Sequence, residues 1–562
     1  MERRLSEFFT QKTAERAGFT ERNTDSDPVI TGLEYDSRKV KNGNLFFALS
    51  GLHTDGSLYI DDALARGAAA IVYEKETVKV NPKAVFIKVK NSRFAMSPVS
   101  AAFYDHPSRR MLVTGVTGTE GKSTTVYLIW QLLVLLGKKA GFFSTVQSCT
   151  GQDVQRNSEH QTTPEAPEVQ RLLWEMAANG CEYAVVEASS HGLSKKTNRL
   201  GDVNFCSAVF TNVTHEHLEF HGTWEQYRDD KANLFRALDG FTPPVKFPAF
   251  KPFGVINADD KSCRFFAKSA KCKTFKFSAA GIEADIALEA VESSAWGNWY
   301  RAFIKADNDH IDFRDKLPGA FNIGNVFASV LAVSGLLGLH VREAAPFVNR
   351  LKPVRGRMTT IDKGQPFEIV VDYAHTPSSF RAIFPPLRFR LKKTGGRIIS
   401  LFGSPGERDT QKRAEQGKIA ATYSDIIVIT DEDPRGEDPM AIIEEIASGC
   451  EKAWSNPPQS APQNVPHHPA SQSAESHPAE NHSAESHSAE SHSGEDVFRR
   501  GENLFLIPNR PQAIRKAFSL ANAGDLVLLL GKGHENSIIY ADHVMPYDEI
   551  TEAEIALDEM HG

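Results

Sequence analysis

A glycine-rich loop followed by Gly-Lys-Ser carries the clearest chemistry in this sequence. Residues 110–126 read RMLVTGVTGTEGKSTTV, so a short apolar run precedes the loop and a long apolar segment follows it. Glycines let consecutive amide N–H groups turn toward phosphate oxygens, and the positive end of a helix dipole adds to that field. Lys122 would reach the terminal phosphates and the Ser123 hydroxyl would bind Mg²⁺. The segment predicts an ATP or GTP site; the alternative is a glycine-rich turn with a surface lysine.

Strands and helical segments alternate from about residue 109 to 356, as in a parallel sheet with crossover helices. Candidate strands lie at 112–113, 183–187, 208–211 and 254–257. Polar residues follow their carboxyl ends, where open α/β sheets bind ligands. Because Mg²⁺ prefers oxygen ligands, Glu187 is a better candidate to bind it than the histidines that follow the third strand. A zinc site in the histidine-rich run 215–221 is the alternative.

The C-terminal part, from about residue 357, has the same pattern of strands that run into polar loops. Candidate strands lie at 369–371, 397–402, 425–430 and 526–530, and each ends in a turn-rich loop. Four such loops on one sheet edge predict a substrate site. The first 108 residues, with short apolar clusters and a candidate strand at 68–72, predict a separate small domain. We therefore expect three domains, 1–108, 109–356 and 357–562.

Composition limits the class of protein. The chain has 562 residues, a net charge of −7 and 41% hydrophobic residues, so two to four ordinary globular domains are expected. The mild charge gives no reason to expect nucleic acid as a partner. Six cysteines without a Cys-x-x-Cys pair are typical of reduced thiols. Without a signal-peptide core or a long apolar stretch, we expect a cytoplasmic protein with no membrane insertion.

One segment departs from this composition. Residues 455–496 are rich in Pro, Ser, His, Ala and Glu, and the unit Ala-Glu-Ser/Asn-His recurs. So little apolar surface cannot offset the entropy of ordering, which predicts a disordered expansion of a loop inside the third domain. Metal binding by its histidines is the alternative.

The order of these motifs resembles the Mur ligase family, ATP-dependent amide-forming enzymes of peptidoglycan precursor synthesis. Within the family the chain is similar to the MurE type, which adds the third residue of the stem peptide. The resemblance extends over nearly the whole chain, apart from 455–496. It implies an α/β fold with a central P-loop ATP-binding domain and a C-terminal Rossmann-like domain, a need for Mg²⁺, and a monomer.

The resemblance also implies which residues handle ATP and magnesium. Glu187 and His217 match magnesium ligands, and Lys231 matches a lysine that is carbamylated to N6-carboxylysine. A carbamate is an anion that can ligate a second Mg²⁺; the alternative from the residues alone is an exposed lysine on a helix. With Lys122, these three residues are the expected catalytic set. The expected ATP-binding residues are Gly118, Thr119, Glu120, Gly121, Lys122, Ser123, Thr124, Asn257, Asn322, Asn325, Arg357 and His375.

The matching motifs extend to the other two substrates. The first domain would hold the UDP end of a nucleotide sugar, through Ser37 of an Asp-Ser-Arg segment and through residues 52–56. Thr162, Thr163, Ser189 and Arg199 would contact the sugar-peptide. The expected amino-acid-binding residues are Arg408, Asp433, Pro434, Arg435, Gly531 and Glu535.

Position 433 departs from the family pattern, and this departure has the largest consequence for which amino acid is added. Diaminopimelate-adding enzymes carry Asp-Asn-Pro-Arg, whereas this chain has Glu432-Asp433-Pro434-Arg435. Arg435 could pair with a second carboxylate, as diaminopimelate requires, while Asp433 could favour a basic side chain. The predicted reaction adds lysine, ornithine or meso-diaminopimelate to UDP-N-acetylmuramoyl-L-alanyl-D-glutamate through an acyl phosphate. We favour a diamino acid with one carboxylate.

Three other functions remain open at this point. A related ligase that adds glutamate to folate would share the P-loop, but it would not need the full set of motifs or the N-terminal domain. A nucleotide-dependent switch would not need four polar loops on the third domain. Because Glu120, Glu216 and Asp433 depart from the family pattern, a non-catalytic nucleotide-binding member is the third alternative.

Overall fold

The structure of the protein is a computed structural model that describes residues 1–50, 55–157, 161–214, 218–294, 297–455, 498–500 and 502–561. The chain divides into two compact units, Met1–Thr359 and Thr360–Gly562. The first unit contains a five-stranded and an eleven-stranded sheet, and the second contains a seven-stranded sheet. The boundaries of the three predicted domains stay a prediction.

The first hundred residues form the five-stranded sheet, in the order β2-β7-β6-β5-β4, and a separate two-stranded sheet of β1 and β3. The strands are β1 (Arg3–Arg4), β2 (Phe19–Arg22), β3 (Val29–Ile30), β4 (Gly32–Glu34), β5 (Asn44–Phe47), β6 (Ala70–Tyr73) and β7 (Val85–Val89), and the helices are α1 (Leu5–Phe8), α2 (Gln11–Ala17), α3 (Ile60–Ala65) and α4 (Ser92–Phe103). Phe47, Val72 and Ile87 belong to one apolar cluster, and the residue before each belongs to a second. This alternation places one cluster on each face of the sheet.

The eleven-stranded sheet has the order β11-β10-β9-β12-β8-β13-β14-β15-β16-β17-β18. Its strands are β8 (Leu112–Thr117), β9 (Ala140–Phe143), β10 (Gln147–Cys149), β11 (Gln155–Arg156), β12 (Tyr183–Glu187), β13 (Phe205–Phe210), β14 (Phe253–Asn257), β15 (Lys273–Ser278), β16 (Ile286–Ser294), β17 (Gly297–Ile304) and β18 (Asp309–Arg314). The helices of this region are α5 (Lys122–Leu135), α6 (Ala166–Ala178), α7 (Ser190–Leu193), α8 (Leu218–His221), α9 (Trp224–Ala237), α10 (Cys263–Ser269), α11 (Asn322–Leu337) and α12 (Val341–Ala344).

This sheet differs from the sequence-based prediction at its ends and at the glycine loop. Its middle strands are parallel, as expected, but β10–β11 and β16–β18 are antiparallel ribbons. Links as short as the one from Ile304 to Asp309 join antiparallel strands, whereas parallel strands need a crossover. Strand β8 also continues to Thr117, so Gly115 belongs to the strand and not to the loop. The strand is longer because β12 and β13 pair with it on both sides up to Val116 and Thr117.

The second unit contains a sheet with the order β19-β20-β25-β21-β22-β24-β23, in which β20, β25, β21, β22 and β24 are parallel and β23 is antiparallel to β24. Its strands are β19 (Thr359–Ile361), β20 (Glu368–Asp372), β21 (Ile398–Phe402), β22 (Ile426–Ile429), β23 (Phe498–Arg500), β24 (Leu504–Leu506) and β25 (Leu526–Leu530), followed by a small hairpin, β26 (Ser537–Ile539) and β27 (Val544–Pro546). The helices are α13 (Pro377–Lys392), α14 (Gln411–Tyr423), α15 (Pro439–Ser455), α16 (Arg510–Ser519) and α17 (Glu549–His561).

Four parallel strands of this unit, β20, β25, β21 and β22, correspond to the four predicted from the sequence. Their following loops therefore leave the same edge of the sheet. The predicted disordered insert lies outside the described residues, except Ser455, which ends α15.

The predicted fold class, α/β with parallel-sheet domains around a P-loop, is confirmed. In the described ranges no single helix has the length and apolar composition needed to cross a membrane. The consecutive segments Asn322–Leu337 and Val341–Arg350 meet that test only as a pair bent by 111°.

Candidate active site

The predicted phosphate-binding loop joins β8 to α5, and the loop after β13 holds it in place. The N–H of Thr119 donates to the carbonyl of Asn212 at 2.8 Å, and the N–H of Glu120 donates to the Asn212 side-chain oxygen at 2.9 Å. Gly121 has φ +80°, and a Cβ there would lie 2.5 Å from Asn325 Oδ1. Only glycine satisfies both conditions, so the turn into the helix depends on it.

Helix α5 begins with the lysine and hydroxyl residues of the motif. Lys122 Nζ donates to the carbonyl of Thr119 at 2.7 Å, so the side chain lies across the loop. Ser123 is buried and Thr124 is half-buried. Lys122 and Ser123 thus stand at the positive end of a 14-residue helix, the position that favours phosphate oxygens.

Glu187 ends strand β12 and is 1% exposed. Its Oε2 accepts the Ser123 hydroxyl at 2.8 Å and the N–H of Thr145 at 2.8 Å, and its Oε1 accepts the Thr145 hydroxyl at 3.0 Å. No motif in the sequence predicts a role for Thr145. A carboxylate and a hydroxyl that touch at the end of a phosphate loop are hard oxygen donors, and they fit Mg²⁺. His217, the other predicted magnesium ligand, lies outside the described residues.

Lys231, on α9, reaches the phosphate loop. It is 1% exposed, and its Nζ donates to the carbonyl of Gly118 at 2.7 Å and lies 4.3 Å from the centre of the Tyr227 ring. The Tyr227 hydroxyl lies 3.0 Å from Thr119 Oγ1, so helix and loop meet at several points. The alternative expectation of an exposed helical lysine is therefore wrong. Within the described residues, no group of three or more His, Cys, Asp or Glu side chains could hold a metal ion.

Three of the residues predicted to contact the sugar-peptide lie together beside Glu187. The Thr163 hydroxyl donates to the carbonyl of Glu187 at 2.9 Å and accepts the N–H of Ser189 at 3.0 Å. Arg199 Nη1 donates to the carbonyl of Thr163 at 2.7 Å, and its Nη2 pairs with Glu165 at 2.9 Å. Hydrogen bonds therefore run without a break from Ser123 through Glu187 to Thr163, Ser189 and Arg199.

The three predicted ATP-binding asparagines are placed around the same loop. Asn257 ends β14 and its Nδ2 donates to the carbonyl of Thr211 at 2.6 Å. Asn322 and Asn325 occupy the first turn of α11, and Asn325 Nδ2 donates to Asn322 Oδ1 at 3.0 Å. The Thr125 hydroxyl of α5 donates to Asn325 Oδ1 at 3.2 Å, which links the two helices.

Four other predicted residues lie within the described part of the chain. Ser37 is buried at the start of a short 3₁₀ helix, Ser37–Lys39, and Thr162 is half-buried. The N–H of the half-buried Arg357 donates to the carbonyl of Val354 at 3.0 Å. His375 Nδ1, in the second unit, lies 2.8 Å from the carbonyl of Tyr373. The predicted uridine-binding residues 52–54 lie outside the described residues.

In the second unit, the loops after β22 and β25 are joined by a buried lysine. Lys532 Nζ lies 2.9 Å from Asp433 Oδ1 and 2.5 Å from Glu535 Oε2, and the Lys532 side chain is 0% exposed. Burial alone lowers the pKa of Lys532, but the carboxylates of Glu535 and Asp433 outweigh it, so the pKa is raised. Asp433, Lys532 and Glu535 are called the Lys532 cluster below. Asp433 and Glu535 were both predicted from the sequence to bind the amino acid, whereas Lys532 between them was not predicted.

The remaining predicted amino-acid-binding residues surround this cluster in sequence and differ in exposure. Pro434 is buried, and Arg435 is half-buried in the left-handed backbone region at φ +56°, with its N–H donating to the carbonyl of Ile539 at 2.9 Å. Gly531 has φ +100°, and a Cβ there would lie 2.8 Å from Glu432 Oε2. Arg408, in the loop after β21, is exposed.

Two further carboxylates are buried at the end of β22. Burial raises the pKa of Glu432 to about 7 and that of Asp431 to about 6. Among the described residues, Glu432 Oε2 has no hydrogen-bond partner, whereas Asp431 Oδ2 accepts the Tyr540 hydroxyl at 3.1 Å. Burial is the main cause of the raised pKa of Glu432, and the charges of Lys412 and Lys532 oppose it only in part.

A second buried cation, Arg510, holds the ends of the same two strands. It is 0% exposed, and it donates to the carbonyl of Asp431 at 3.0 Å and to the carbonyl of Leu530 at 2.7 Å. Glu549, also 0% exposed, accepts from Arg510 at 2.6 and 2.8 Å and from the Tyr547 hydroxyl at 2.6 Å. The ends of β22 and β25 are thereby fixed relative to each other.

Comparison with known proteins gives matches over most of the chain. Family models match at residues 29–104 (Mur ligase family, catalytic domain), 116–333 (Mur ligase middle domain) and 356–533 (Mur ligase, glutamate ligase domain). A UDP-N-acetylmuramyl-tripeptide synthetase of Treponema denticola is 48% identical over 93% of both chains, and one of Treponema pallidum is 45% identical over 92% of both. A UDP-N-acetylmuramoyl-L-alanyl-D-glutamate–2,6-diaminopimelate ligase of Geobacillus kaustophilus is 32% identical over 95% of this chain and 96% of its own.

Solved structures agree with this result. A UDP-N-acetylmuramoyl-L-alanyl-D-glutamate–2,6-diaminopimelate ligase has 25% identity and a TM-score of 0.56, with 95% of this chain and 96% of its own covered. MurF ligase from Thermotoga maritima, in complex with ADP, has 18% identity and a TM-score of 0.56, with 94% and 97% covered, and this likeness concerns the fold.

A phosphate loop between a buried strand and a helix, at the carboxyl ends of parallel strands, defines a nucleotide-binding protein of the P-loop class. The sequence identity to the relatives, and the share of the chain that they cover, show which family of this class the chain belongs to. The chain belongs to the Mur ligase family, and its high-identity relatives are of the MurE type. The predictions of this family and of an ATP-dependent ligase are confirmed, and the folate-type alternative is not favoured.

Proposed function

We propose that this chain catalyses the ATP-dependent addition of a diamino acid to UDP-N-acetylmuramoyl-L-alanyl-D-glutamate in the cytoplasm. The observation that supports it most is the unbroken line of hydrogen bonds from Ser123 through Glu187 to Thr163, Ser189 and Arg199. It joins residues expected to act on phosphate to residues expected to hold the peptide arm. A ligase that phosphorylates a peptide carboxylate needs these two groups side by side.

ATP would be bound by the phosphate loop and its surroundings. The N-terminus of α5 would face the phosphates, and Lys122 would move from the Thr119 carbonyl to a phosphate oxygen and offset charge on the transferring phosphoryl group. The proposed ATP contacts of the first unit are Gly118, Thr119, Glu120, Gly121, Lys122, Ser123, Thr124, Asn257, Asn322, Asn325 and Arg357. His375, in the second unit, is a further proposed contact.

Ser123 and Glu187 are the described residues that would hold Mg²⁺, with His217 as a third predicted ligand. When bound, the ion neutralises phosphate charge and orients the transferring group. Thr145 donates two hydrogen bonds to Glu187 and would fix the direction in which its carboxylate points. Carbamylation of Lys231 would place a second anion at the carbonyl of Gly118, where its ammonium now donates.

The reaction would pass through an acyl phosphate. The D-glutamate carboxylate attacks the γ-phosphorus of ATP, the bond to the β-phosphate oxygen breaks, and ADP leaves. The neutral amine of the incoming amino acid then attacks the acyl carbon, the C–O bond to phosphate breaks, and the nitrogen loses its proton. Thr162, Thr163, Ser189, Arg199 and, at the UDP end, Ser37 would hold the acceptor.

The amino acid would be bound in the second unit by the loops after β21, β22 and β25. Arg408, Pro434, Arg435 and Gly531 are proposed contacts, together with the carboxylates Asp433 and Glu535. Asp433 and Glu535 outnumber Lys532 in their cluster, which favours a substrate with a distal ammonium and one carboxylate. Lysine and ornithine are such substrates. The monomeric state also remains part of this proposal.

Phosphate release tests the proposal. Purified protein receives Mg²⁺, ATP and UDP-N-acetylmuramoyl-L-alanyl-D-glutamate, and lysine, ornithine or meso-diaminopimelate is added separately. The proposal expects release that depends on both the nucleotide sugar and one of the amino acids. Equal release without any amino acid would indicate an ATPase, and no release from folded protein that binds ATP would favour a non-catalytic member of the family.

A further inference from the structure

Three buried side chains of the first unit form a line of hydrogen bonds from a serine through a histidine to an aspartate. His221, at the end of α8, has Nε2 3.0 Å from Ser190 Oγ and Nδ1 2.7 Å from Asp230 Oδ2. Ser190 is 2% exposed, and the side chains of His221 and Asp230 are 0% and 3% exposed. These three residues are called the His221 triad below.

The direction of the two hydrogen bonds follows from the chemistry of the groups. The Asp230 carboxylate can only accept, so the ring proton lies on Nδ1, and Nε2 of the neutral ring accepts the Ser190 hydroxyl. Asp230 Oδ1 also accepts Gln226 Nε2 at 3.1 Å, so both carboxylate oxygens are bonded. Asp230 therefore fixes the His221 ring, and the ring fixes the Ser190 hydroxyl.

In serine hydrolases the same three side chains activate a nucleophile that is open to substrate. Ser190 is buried, so the His221 triad holds a segment of chain in place instead. That segment is α7, whose first residue is Ser190 and whose last is Leu193. A helix of four residues is not stable by itself. The carbonyl of Leu193 accepts Asn233 Nδ2 at 3.0 Å, and Asn233 and Asp230 both belong to α9, so α9 holds both ends of α7.

The residue before Ser190 is Ser189, a proposed contact of the sugar-peptide. Ser189 is half-buried and caps α7, since its hydroxyl accepts the N–H of Gly192 at 3.1 Å. Its own N–H donates to the Thr163 hydroxyl at 3.0 Å. Because Ser189 and Ser190 share a peptide unit, the direction of Ser189 depends on where the His221 triad holds Ser190.

Helix α9 also reaches the phosphate loop, but through other residues. The Tyr227 hydroxyl lies 3.0 Å from Thr119 Oγ1, and Lys231 Nζ donates to the carbonyl of Gly118 at 2.7 Å. Neither of these contacts passes through His221. One helix thus positions two parts of the site, and the contacts to each part can be changed separately.

We propose that His221, oriented by Asp230, is a positioning residue for the nucleotide-sugar acceptor, because it holds Ser190 and thereby directs Ser189. This inference rests on the proposed function, in which Ser189 contacts the sugar-peptide. The His221 triad itself touches no substrate in this scheme. Its loss should weaken binding of the acceptor and leave binding of ATP nearly unchanged.

Two substitutions of His221 separate the two hydrogen bonds of its ring. The amide of His221→Gln reaches the place of Nε2, where its oxygen accepts the Ser190 hydroxyl. The shorter amide of His221→Asn reaches the place of Nδ1, so it keeps only the bond to Asp230. Each variant loses one bond of the ring and much of the same packing, so the two should have similar Tm values. Only His221→Asn should weaken acceptor binding.

Phosphate release by the full-length protein gives KM for UDP-N-acetylmuramoyl-L-alanyl-D-glutamate and for ATP. Mg²⁺ is present, and lysine, ornithine and meso-diaminopimelate are supplied together, so the choice among them does not affect the result. We expect the acceptor KM to rise about tenfold in His221→Asn and in Ser190→Ala, and to stay within about threefold of wild type in His221→Gln. The ATP KM should stay within about threefold of wild type in all three variants.

A double variant tests whether Ser190 and His221 act through one contact. Ser190→Ala combined with His221→Asn should show the same rise of about tenfold in the acceptor KM, whereas independent contributions would multiply to about a hundredfold. Thr223→Ala is the matched control. Thr223 caps α9 by accepting the N–H of Gln226 at 3.1 Å, so this variant should lower the Tm through the same helix and change neither KM.

Three results would overturn the inference. Equal acceptor KM values in His221→Asn and His221→Gln would mean that the bond to Ser190 does not position the acceptor. Multiplied effects in the double variant would mean that Ser190 and His221 act separately. A rise of both KM values that Thr223→Ala shares would mean that the His221 triad only stabilises α9. A wild type that releases no phosphate is a different result, because it contradicts the proposed function on which the inference rests.

Discussion

The proposed nucleotide site of the first unit and the proposed amino-acid site of the second are held in place by different kinds of bond. Around the phosphate loop, backbone N–H groups, amides and hydroxyls meet one buried carboxylate, Glu187. In the second unit, Lys532 and Arg510 are buried ammonium and guanidinium groups that tie two loops together through carboxylates and carbonyls. In the first site, the contacts of Glu187 and Lys231 described above are with neutral groups, whereas the second site depends on ion pairs between buried charges.

This difference predicts how each site fails. A phosphate loop is stabilised by its own strand and helix, so removal of one catalytic side chain costs activity and leaves the fold intact. A loop pair joined by buried ions has no such local support, and removal of one partner leaves the other uncompensated. Substitutions at the first site should therefore reduce activity without reducing stability, whereas substitutions at the second should reduce both.

The largest effect is expected from Lys122→Ala. This substitution removes the charge that offsets the transferring phosphoryl group, so kcat for phosphate release should fall about 10³-fold or more. The thermal midpoint should change little, because Lys122 is half-buried and donates to a backbone carbonyl. Lys139→Ala, an exposed lysine beyond the same helix, should keep wild-type kcat. A large drop in Tm for Lys122→Ala would contradict the proposed separation of catalysis from stability.

The next effect concerns Arg510→Met. The variant leaves Glu549 buried without its cation and two strand-end carbonyls without a donor. The free energy of unfolding should therefore fall by about 3–5 kcal/mol. Urea unfolding gives the size of the change, and hydrogen exchange of the β22 and β25 amides assigns it to the second unit.

Arg381→Met is the matched control for this variant. Arg381 forms an exposed ion pair with Glu415 in the same unit, and such pairs contribute about 0–1 kcal/mol. If the two variants lose similar stability, the buried pair does not support the second site as described.

The smallest expected effect is a change of stability with pH, which arises from Glu432 in the second unit. The pKa of Glu432 is about 7 in the folded protein, above its ordinary value, because the carboxyl is buried. The folded state therefore holds a proton that the unfolded state has released, and the stability from that proton is lost as the pH rises through 7. Glu432→Gln cannot lose a proton, so its stability relative to wild type should rise by about 2 kcal/mol between pH 5 and pH 8.

Urea unfolding at the two pH values checks this prediction. Glu554→Gln, an exposed residue of α17, should show the same difference from wild type at both. A pH-independent difference for Glu432→Gln would mean that the buried carboxyl is compensated in the folded protein.

The same contrast explains which parts of the two sites the sequence predicted. The phosphate loop is contiguous, and its glycines, Lys122 and Ser123 follow one another, so their spacing alone indicates the chemistry. Thr145 and Lys532 act through partners 42 and 99 residues away, and no local pattern indicates such pairs. The parallel strands of both sheets were predictable because apolar runs end in polar loops. The antiparallel ribbon β16–β18 was not, because its strands carry exposed and charged residues.

The strand order of the second unit has a consequence for synthesis. Strand β25, the last to be made of the seven, lies between β20 and β21 in the middle of the sheet. Until the ribosome has passed Leu526, the strand that pairs with both β20 and β21 has not been made. The first unit can fold as it emerges, since its strands precede residue 360. The second must wait for its final fifth, and a chain that stops before Leu526 would leave two apolar strands with unpaired edges, a substrate for chaperones and proteases.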